Sequence, residues 1–302
     1  MIIASNIEKS YGPQTLFEEV SFLINKGERI GLVGKNGTGK STLFRMILGL
    51  ESLDSGILST PKGYRIGALE QHIHFTQPTV LKECIEALPP EKQWDHYKAE
   101  IILSGLGFSE QDFEKDPATF SGGFQVRINL CKALLADPNM LLLDEPTNYL
   151  DILSLRWLKE YLNKWPGEMM LITHDRDFMD NVTTHTLGLH RKQARKVKGG
   201  TIKFYEMMIQ EEETYEQTRK NLENKRKEMQ SLIDRFRAKA SKATMAQSRL
   251  KMMEKMGTME KLDTEKNLGF RFNHLSCPGK TIMNIEQISF SYDGNPENNI
   301  FS

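Results

Sequence analysis

One eight-residue stretch, Gly34 to Ser41, constrains the fold more than any other feature, because it reads G-x-x-x-x-G-K-S. It stands between an apolar run, Arg29 to Val33, and an amphipathic pattern, Lys40 to Leu48. Glycines in such a loop let backbone N–H groups converge on phosphate oxygens, and the following helix N-terminus adds favourable partial charge. The pattern therefore predicts a strand, a phosphate-binding loop and a helix, in which Lys40 reaches the β- and γ-phosphates and the Ser41 hydroxyl binds Mg²⁺.

A second apolar run, Met140 to Leu143, ends in two carboxylates, Asp144 and Glu145. Taken alone, an acidic pair after a strand is most simply a helix-capping pair. Asp144 lies 104 residues after Lys40, and this separation favours a metal-binding and catalytic pair that works with the phosphate-binding loop over simple helix capping. We predict that Asp144 holds Mg²⁺ through water and that Glu145 orients or deprotonates an attacking water.

The composition is that of a globular protein with about two domains, at roughly 150 residues per domain. The 302 residues carry 40 basic and 40 acidic side chains, and no apolar run approaches the ~20 residues of a membrane helix. Three cysteines, Cys84, Cys131 and Cys277, form no CxxC pair, and Glu8 and Lys9 fall where a signal peptide needs its apolar core. These features disfavour a disulfide framework, a zinc site and secretion, and they predict a cytoplasmic protein.

The first 200 residues alternate short apolar runs with helical patterns, which predicts an α/β fold. From about Phe204 to Met259 there is no proline and one glycine. The residues that recur there every seven positions are Met208, Tyr215, Leu222, Met229 and Phe236. This seam predicts a helix of about 35 residues, ~50 Å long. A second set, Leu250, Met253 and Met256, predicts a return helix after a turn near Ser241 and Lys242. We interpret the segment as an antiparallel helical hairpin.

Charge is uneven within this hairpin. Between Arg219 and Lys255 there are twelve basic residues and four acidic ones. Between residues 235 and 253 no acidic residue interrupts the six basic ones, which are Arg235, Arg237, Lys239, Lys242, Arg249 and Lys251. Two interpretations stay open on charge alone: a solvated helical linker, or a surface that contacts the phosphate backbone of RNA.

The end of the sequence resembles its beginning. The segment from Asn284 to Gly294 repeats the pattern of Ile3 to Gly12, and both the isoleucine and the tyrosine of the pattern recur at an offset of 281. We expect that a second copy of the first domain begins here and that the sequence is truncated after its first strands.

A third anion-binding element precedes the Asp144 strand. Ser121, Gly122 and Gly123 open a helical pattern that continues from Phe124 to Leu135. A serine at the N-cap followed by two glycines exposes N–H donors, although simple helix capping explains the same residues. Together the three motifs resemble those of an ATP-binding-cassette ATPase. In that family the Ser-Gly-Gly segment binds the γ-phosphate of a nucleotide held by the opposite cassette.

This resemblance implies a P-loop ATPase domain with a mixed sheet and a helical subdomain, and it implies ATP and Mg²⁺ as ligands. It assigns catalytic roles to Glu145, His174 and Gln71, of which His174 contacts the γ-phosphate and Gln71 senses Mg²⁺ and the attacking water. It also assigns Asn148 to Asp151 to the loop that follows the catalytic glutamate. The implied magnesium ligands are Ser41, Gln71 and Asp144. The implied nucleotide-binding residues are Tyr11, which stacks on adenine, Gly34, Lys35, Asn36, Gly37, Thr38, Gly39, Lys40, Ser41, Thr42, Asp144, Ser121, Gly122 and Gly123.

Two of these residue types have simpler explanations when taken alone, since a tyrosine is an ordinary strand aromatic and a lone histidine is usually structural. The chain also departs from the family pattern at Phe120, where leucine is usual, at Phe124 and Gln125, near a common glutamine, and at Tyr149, where histidine is frequent. None of these departures removes a group that touches phosphate in the family scheme.

Within the cassette proteins, residues 144–148, 231–243 and 247–249 resemble the ABC-F group, whose members have tandem cassettes and act on ribosomes. The resemblance implies a cassette at 1–203, a charged hairpin linker at 204–262, and a connector with the first strands of a second cassette at 263–302. It also implies a nucleotide-timed translation factor whose linker contacts rRNA and tRNA, with the second cassette as a partner in cis and no membrane partner. The stretch from His72 to Thr119 is too short for the extra arm of some members.

The sequence as it stands owns one phosphate-binding loop and one Ser-Gly-Gly segment. We therefore expect ATPase activity that is weak and that requires two copies to dimerise. Two alternatives belong to other classes. A transporter subunit would recruit membrane-spanning partners, which the charged linker disfavours. An RNA-binding module with little catalysis would need neither Glu145 nor His174, which are both present.

Overall fold

The computed structural model describes residues 1–69, 75–92, 94–237, 243–255, 283–286 and 288–291. These residues belong to two compact units, Met1–Thr218 and Arg219–Ser302, each of which is described by itself. The strands are β1 Ile2–Tyr11, β2 Gln14–Ile24, β3 Arg29–Gly34, β4 Ser55–Ser59, β5 Ile66–Ala68, β6 Met140–Asp144, β7 Glu168–Ile172, β8 His185–His190 and β9 Gln193–Lys198. The helices are α1 Lys40–Ile47, α2 Val80–Glu86, α3 Tyr97–Gly105, α4 Gly122–Leu135, α5 Ile152–Lys164, α6 Arg176–Val182, α7 Thr201–Arg237 and α8 Ala243–Lys255.

The first unit contains two sheets. A three-stranded antiparallel sheet has the order β2-β1-β4, and its alternating burial leaves one face to the core. A six-stranded sheet has the order β5-β6-β7-β3-β8-β9 and is parallel except for β9, which pairs antiparallel with β8. The two apolar runs that the sequence analysis placed before polar site residues are β3 and β6, and each strand extends one residue beyond the predicted run.

This strand order decides where polar side chains meet. Strands β6, β7 and β3 are neighbours and run parallel, so their carboxyl ends lie at one edge of the sheet. The phosphate-binding loop follows β3, Asp144 ends β6, and His174 comes just after β7. Ligand sites in open α/β sheets form at this edge.

Helices α2, α3 and α4 pack on one another and form a helical layer with the apolar side of the large sheet. Three phenylalanines lock the start of α4 to this layer, since the ring centroid of Phe108 lies 5.6 Å from that of Phe120 and 5.1 Å from that of Phe124. A second apolar core fills the space between the two sheets and α1. The α/β fold with a mixed sheet and a helical subdomain is thus confirmed.

Helix α7 begins within the first unit. The Asp180 carboxylate accepts hydrogen bonds from the Thr201 backbone N–H, at 2.8 Å, and from its hydroxyl, at 2.9 Å. Phe204 lies against Gly188, where an added Cβ would be 1.9 Å from the phenylalanine Cζ. These contacts fix the first turn of the long helix to the sheet, so residues 201–204 pack with the cassette.

The second unit contains the rest of α7, from Arg219, and α8. Met253 of α8 shares a groove with α7 residues Leu222, Arg226 and Gln230. Met253 lies near the end of α8, whereas its partners lie well before the end of α7, at Arg237. Because α8 begins only six residues after α7 ends, this pairing requires the two helices to run antiparallel. The heptad positions Met208, Tyr215, Leu222 and Met229 are half-buried. The predicted helical hairpin is confirmed.

Part of the remaining predictions lies outside the described residues. Arg235 and Lys251 are exposed and Arg249 is half-buried, whereas Lys239, Lys242 and the side chain of Arg237 are not described. Of the repeat that begins at Asn284, the structure describes only residues 284–286 and 288–291. Within the described ranges, no helix is both long enough and apolar enough to cross a membrane. The predicted domain boundaries stay a prediction.

Candidate functional site

The edge formed by β3, β6 and β7 carries a cleft of about 450 Å³. It brings together most residues that the sequence analysis assigned to nucleotide binding, from four separate segments of the chain. The lining residues are Tyr11, Gln14, Leu16, Asn36, Gly37, Gly39, Lys40, Ser41, Thr42, Asp144, Glu145, Ile172 and His174.

The loop between β3 and α1 needs glycine at its end. Gly39 has a φ of 96° at the N-cap of α1, and a Cβ there would lie 2.7 Å from Cζ of Phe17. A side chain would therefore be strained by the backbone and blocked by the core at once. The loop is closed by Thr38, whose N–H and hydroxyl both donate to the Lys35 carbonyl, at 3.3 and 2.9 Å. The first N–H groups of α1 are thus left facing the cleft.

Lys40 is held by the loop itself. Its ammonium donates to the carbonyls of Gly34, at 2.8 Å, and of Lys35, at 3.0 Å. Burial lowers the pKa of Lys40, and the nearby carboxylates of Asp144 and Glu145 oppose that shift. The cation thus lies beside the phosphate-binding loop with two carboxylates facing it, as binding of a polyanion with a divalent metal requires.

Ser41 and Asp144 form the pair predicted to hold Mg²⁺. The Ser41 hydroxyl donates to Oδ2 of Asp144 over 3.0 Å, although 103 residues separate them. Mg²⁺ prefers oxygen ligands, keeps several waters, and is usually bound by one or two protein groups together with substrate phosphates. Among the residues that the structure describes, no three His, Cys, Asp or Glu side chains cluster into a closed metal cage. The donor set therefore fits a Mg²⁺ that shares its ligands with a bound nucleotide.

Glu145 and His174 face each other across the ends of β6 and β7. Glu145 Oε2 accepts a hydrogen bond from the His174 backbone N–H at 3.3 Å, and its Oε1 lies 3.5 Å from Nε2 of His174. Glu145 has a φ of 51°, a left-handed conformation that costs a non-glycine residue about 1–2 kcal/mol. The Glu145 N–H donates to the Ile172 carbonyl at 2.8 Å, which holds this geometry. Strain of this kind is concentrated at functional sites.

The predicted Ser-Gly-Gly segment does not line this cleft. Ser121, Gly122 and Gly123 lie at the start of α4, where Ser121 and Gly122 are exposed. Ser121 is the N-cap residue of α4, and its side chain makes no capping hydrogen bond. Gln71 lies outside the described residues.

Sequence reasoning missed Arg127, which is nearly buried in α4. Its guanidinium donates to the Tyr149 carbonyl from Nε, at 2.9 Å, and from Nη2, at 2.6 Å. Nη1 donates to the Leu106 carbonyl at 2.8 Å and to Oδ2 of Asp151 at 3.1 Å. Arg127 therefore ties the loop after Glu145 to the helix that carries the Ser-Gly-Gly segment. An arginine among the buried positions of α4, next to Ile128 and Leu130, was the available signal.

A second missed contact joins the loops that follow β6 and β7. The hydroxyls of Thr147 and Thr173 lie 2.9 Å apart, and the Thr173 hydroxyl also accepts from the Asp175 N–H at 3.2 Å. Asp175 in turn caps α6 by accepting from the Phe178 N–H at 2.9 Å. This chain of bonds fixes the position of His174 relative to Glu145.

Two protein-family models match the chain, both described as ABC transporter, one at residues 17–148 and the other at residues 187–272. Together they cover more than half of the chain. The chain is also similar to a solved ATP-binding subunit of an ABC transporter, with a TM-score of 0.59 and 23% identity over 66% of this chain and 90% of that one. A dimeric post-hydrolysis structure of the cassette MJ0796 with ADP and Pi gives a TM-score of 0.54 and 22% identity, over 66% and 98%. The fold is that of the ATP-binding cassettes.

Curated relatives narrow the class. The ATP-binding protein YdiF of Bacillus subtilis is 32% identical over 98% of this chain and 53% of its own length. YheS of Escherichia coli K12, named as an ATP-binding protein, is 30% identical over 97% and 50%. The rat ATP-binding cassette sub-family F member 3 is 29% identical over 98% and 46%. The chain belongs to the ABC-F family of ATP-binding-cassette proteins. It spans about half the length of these relatives.

Proposed function

We propose that the chain binds ATP in the cleft at the ends of β3, β6 and β7 and hydrolyses it to ADP and phosphate. One observation carries the proposal: Ser41, Asp144, Glu145 and His174 come together from distant segments, with the Ser41 hydroxyl 3.0 Å from Asp144 and Glu145 Oε1 3.5 Å from Nε2 of His174. This is the arrangement that phosphoryl transfer to water needs, a metal-binding pair beside an acid–base group.

Each residue then has one task. The N–H groups of the loop and of the α1 N-terminus bind the phosphates, and Lys40 moves from the loop carbonyls to the β- and γ-phosphate oxygens. Bound Mg²⁺, held through Ser41 and Asp144, would neutralise charge on the phosphates. Glu145 orients the attacking water and accepts its proton, while His174 donates to the γ-phosphate. Gln71 is proposed as a further contact to the metal and the water.

A complete site needs a second cassette. Ser121 and Gly122 are exposed at the N-terminus of α4 and do not line the cleft, so this segment is placed to bind the γ-phosphate held by another cassette. The MJ0796 cassette, which shares the fold, was solved as a dimer. We therefore propose that two copies of this chain, or this cassette and a second one in a longer protein, close around two nucleotides. Hydrolysis by the isolated chain is then weak at low protein concentration.

We further propose that nucleotide-driven closure moves the helical hairpin, and that the hairpin contacts ribosomal RNA and tRNA in the cytoplasm. The support is the exposed basic surface of α7 and α8, which includes Arg235 and Lys251, and the absence of acidic residues between 235 and 253. Six basic residues with little aromatic interleaving favour contacts to the phosphate backbone rather than to bases. The chain is thus a nucleotide-timed translation factor.

Ribosome co-sedimentation tests this role. The Glu145→Gln variant binds ATP without hydrolysing it, so we expect it to pellet with ribosomes in ATP and not in ADP, with retention that falls as salt rises. A matched variant, Arg235→Glu with Lys251→Glu in the same background, is expected to lose retention and to keep its affinity for ATP. If Glu145→Gln stays in the supernatant under every condition, the ribosomal role fails. The ATPase proposal survives that result, and a membrane-spanning partner, as for a transporter subunit, becomes the alternative.

Retention without nucleotide would instead favour an RNA-binding module with little catalysis. In that case Glu145→Gln and the unchanged chain would pellet equally, because no nucleotide state would matter. The same salt series would still lower retention. The nucleotide dependence, rather than binding itself, therefore separates the switch from this alternative.

A further inference from the structure

Strand β1 changes face at Asn6. Asn6 has a φ of 46°, and the pairing of β1 with β2 shifts between Ala4 and Ile7. The Asn6 N–H donates to the Ser21 hydroxyl at 2.8 Å, and Gly56 lies so close that a Cβ would be 2.2 Å from the Asn6 carbonyl oxygen. A bulge of this kind re-aims the residues that follow it. After this bulge Ile7 and Lys9 are both buried, and the pairing with β2 shifts again on either side of Lys9, before the exposed Tyr11.

Lys9 thus occupies a position where an apolar residue would be expected. Its side chain is 6% exposed, and its ammonium lies 2.7 Å from Oε1 of Glu51 and 3.6 Å from Oδ1 of Asp54. The ammonium also donates to the Ser52 carbonyl at 2.8 Å. The hydrogen bond to Glu51 raises the pKa of Lys9, and the same bond lowers the pKa of Glu51. The side chain is therefore a fixed cation at neutral pH.

This cation faces an aromatic ring at the mouth of the cleft. The Lys9 ammonium lies 5.0 Å from the centroid of the Tyr11 ring. Tyr11 is 47% exposed and lines the cleft with the phosphate-binding loop, and the Tyr11 hydroxyl also contributes to the lowered pKa of Glu51. A cation within about 6 Å of a ring centroid is attracted to the ring face. The Lys9 ammonium thus contacts the Tyr11 ring, and the other part of the ring is exposed and available to a ligand.

A paired buried charge is a poor way to gain stability, since desolvation offsets most of the attraction. It does fix geometry. A ring held in one orientation before a ligand arrives loses less conformational entropy on binding, so the ligand binds more tightly than to a mobile ring. Lys9, which lies between the Glu51 carboxylate and the Tyr11 ring, is placed to restrict the ring in this way.

We propose that Lys9 is a positioning residue for nucleobase recognition: anchored by Glu51, it holds the Tyr11 ring in the orientation that stacks on the base. The inference rests on the proposed function, because it requires that a nucleotide occupies the cleft with its base on Tyr11. Lys9 is not among the residues that line the cleft, so its removal is expected to weaken only the part of binding that depends on the base.

Two ligands separate this effect from general damage. Calorimetric titration with Mg-ATP measures base and phosphate contacts together, and inorganic tripolyphosphate with Mg²⁺ measures the phosphate contacts alone. For Lys9→Met we expect the Kd for ATP to rise about three- to tenfold, the scale of a cation–π contact, with the Kd for tripolyphosphate unchanged within twofold. Lys9→Arg keeps the cation and is expected to restore ATP affinity, and Lys62→Met, at an exposed site, is the neutral control.

The double variant, Lys9→Met with Tyr11→Ala, gives the most direct test. If Lys9 acts through the ring, Lys9→Met adds nothing to Tyr11→Ala, and the two changes are strongly non-additive. Equal weakening of ATP and tripolyphosphate, full additivity with Tyr11→Ala, or unchanged ATP affinity in Lys9→Met would each overturn the proposal. Should Lys9→Met fail to fold, Lys9→Gln keeps a donor for Glu51 without the charge and makes the same test.

Failure of the proposed function has a different signature. If Lys40→Ala leaves ATP affinity unchanged, the cleft does not bind ATP and the proposed function itself is wrong. If Lys40→Ala abolishes binding but Tyr11→Ala has no effect, the nucleotide is bound without a base contact, and only the role of Lys9 is refuted.

Discussion

Replacing Arg127 by Met removes one guanidinium that satisfies three acceptors. The Tyr149 carbonyl accepts from two of its nitrogens, at 2.9 and 2.6 Å, and the Leu106 carbonyl accepts at 2.8 Å. The third acceptor, Oδ2 of Asp151 at 3.1 Å, belongs to a side chain that is 52% exposed. Methionine fills much of the same space, so the change removes hydrogen bonds more than packing.

The expected loss of stability follows from these partners. A hydrogen bond to a charged donor contributes about 1.5–3 kcal/mol, and the two carbonyls lose theirs in a site that water enters poorly. The half-exposed Asp151 is solvated after the change, so its ion pair adds little. We therefore expect Arg127→Met to lower the free energy of unfolding by about 3–5 kcal/mol, which corresponds to a Tm lower by roughly 10 °C.

Urea denaturation followed by tryptophan fluorescence measures this directly, because the three tryptophans, Trp94, Trp157 and Trp165, all lie in the first unit. Arg156→Met, at an exposed position of α5, is the matched control and is expected to cost less than about 0.5 kcal/mol. Arg127→Lys keeps the charge but not the fork of donors, so we expect most of the loss to remain. A loss below about 1 kcal/mol for Arg127→Met would refute this account of the loop.

Three further predictions concern the fold. Burial opposes ionisation of Glu28, but hydrogen bonds, led by those from Asn25, outweigh burial and lower the pKa of Glu28 from 4.5 to about 2. The ionised carboxylate therefore stabilises the fold above pH 4.5, and this stabilisation is lost as the pH falls towards 2. In acid titrations the difference in unfolding free energy between the unchanged chain and Glu28→Gln should shrink over that window. Gly188→Ala should cost about 1–3 kcal/mol in urea denaturation, and Phe204→Leu should recover part of it, because the added Cβ would lie 1.9 Å from the Phe204 ring. Glu83→Gln should cost about 3 kcal/mol in thermal unfolding, because this fully buried carboxylate is ion-paired, and a cost below 1 kcal/mol would contradict that view.

The site was predictable where its chemistry is local. The loop from Gly34 to Ser41 and the pair Asp144–Glu145 each combine an apolar strand with the polar residues that follow it, so their meeting at one sheet edge follows from parallel pairing. The hairpin was predictable for the same reason, since a seven-residue repeat specifies a helix face without tertiary information.

Long-range pairings were not predictable in this way. The acceptors of Arg127 lie 21 to 24 residues away in the sequence, and two strands and a helix separate Lys9 from Glu51. A buried cation looks in sequence like any other charged residue, because only the fold decides which carbonyls and carboxylates surround it. The three-stranded sheet was missed as well, since the bulge at Asn6 interrupts the alternation that marks a strand.

Phosphate release from ATP, measured over a series of protein concentrations for the unchanged chain and for Glu145→Gln, tests the central claim most directly. The account predicts turnover per chain that rises with concentration, as two copies complete each site, and a loss of at least about a hundredfold in Glu145→Gln with ATP still bound. Equal turnover by Glu145→Gln and the unchanged chain would contradict the assignment of this cleft as the catalytic site.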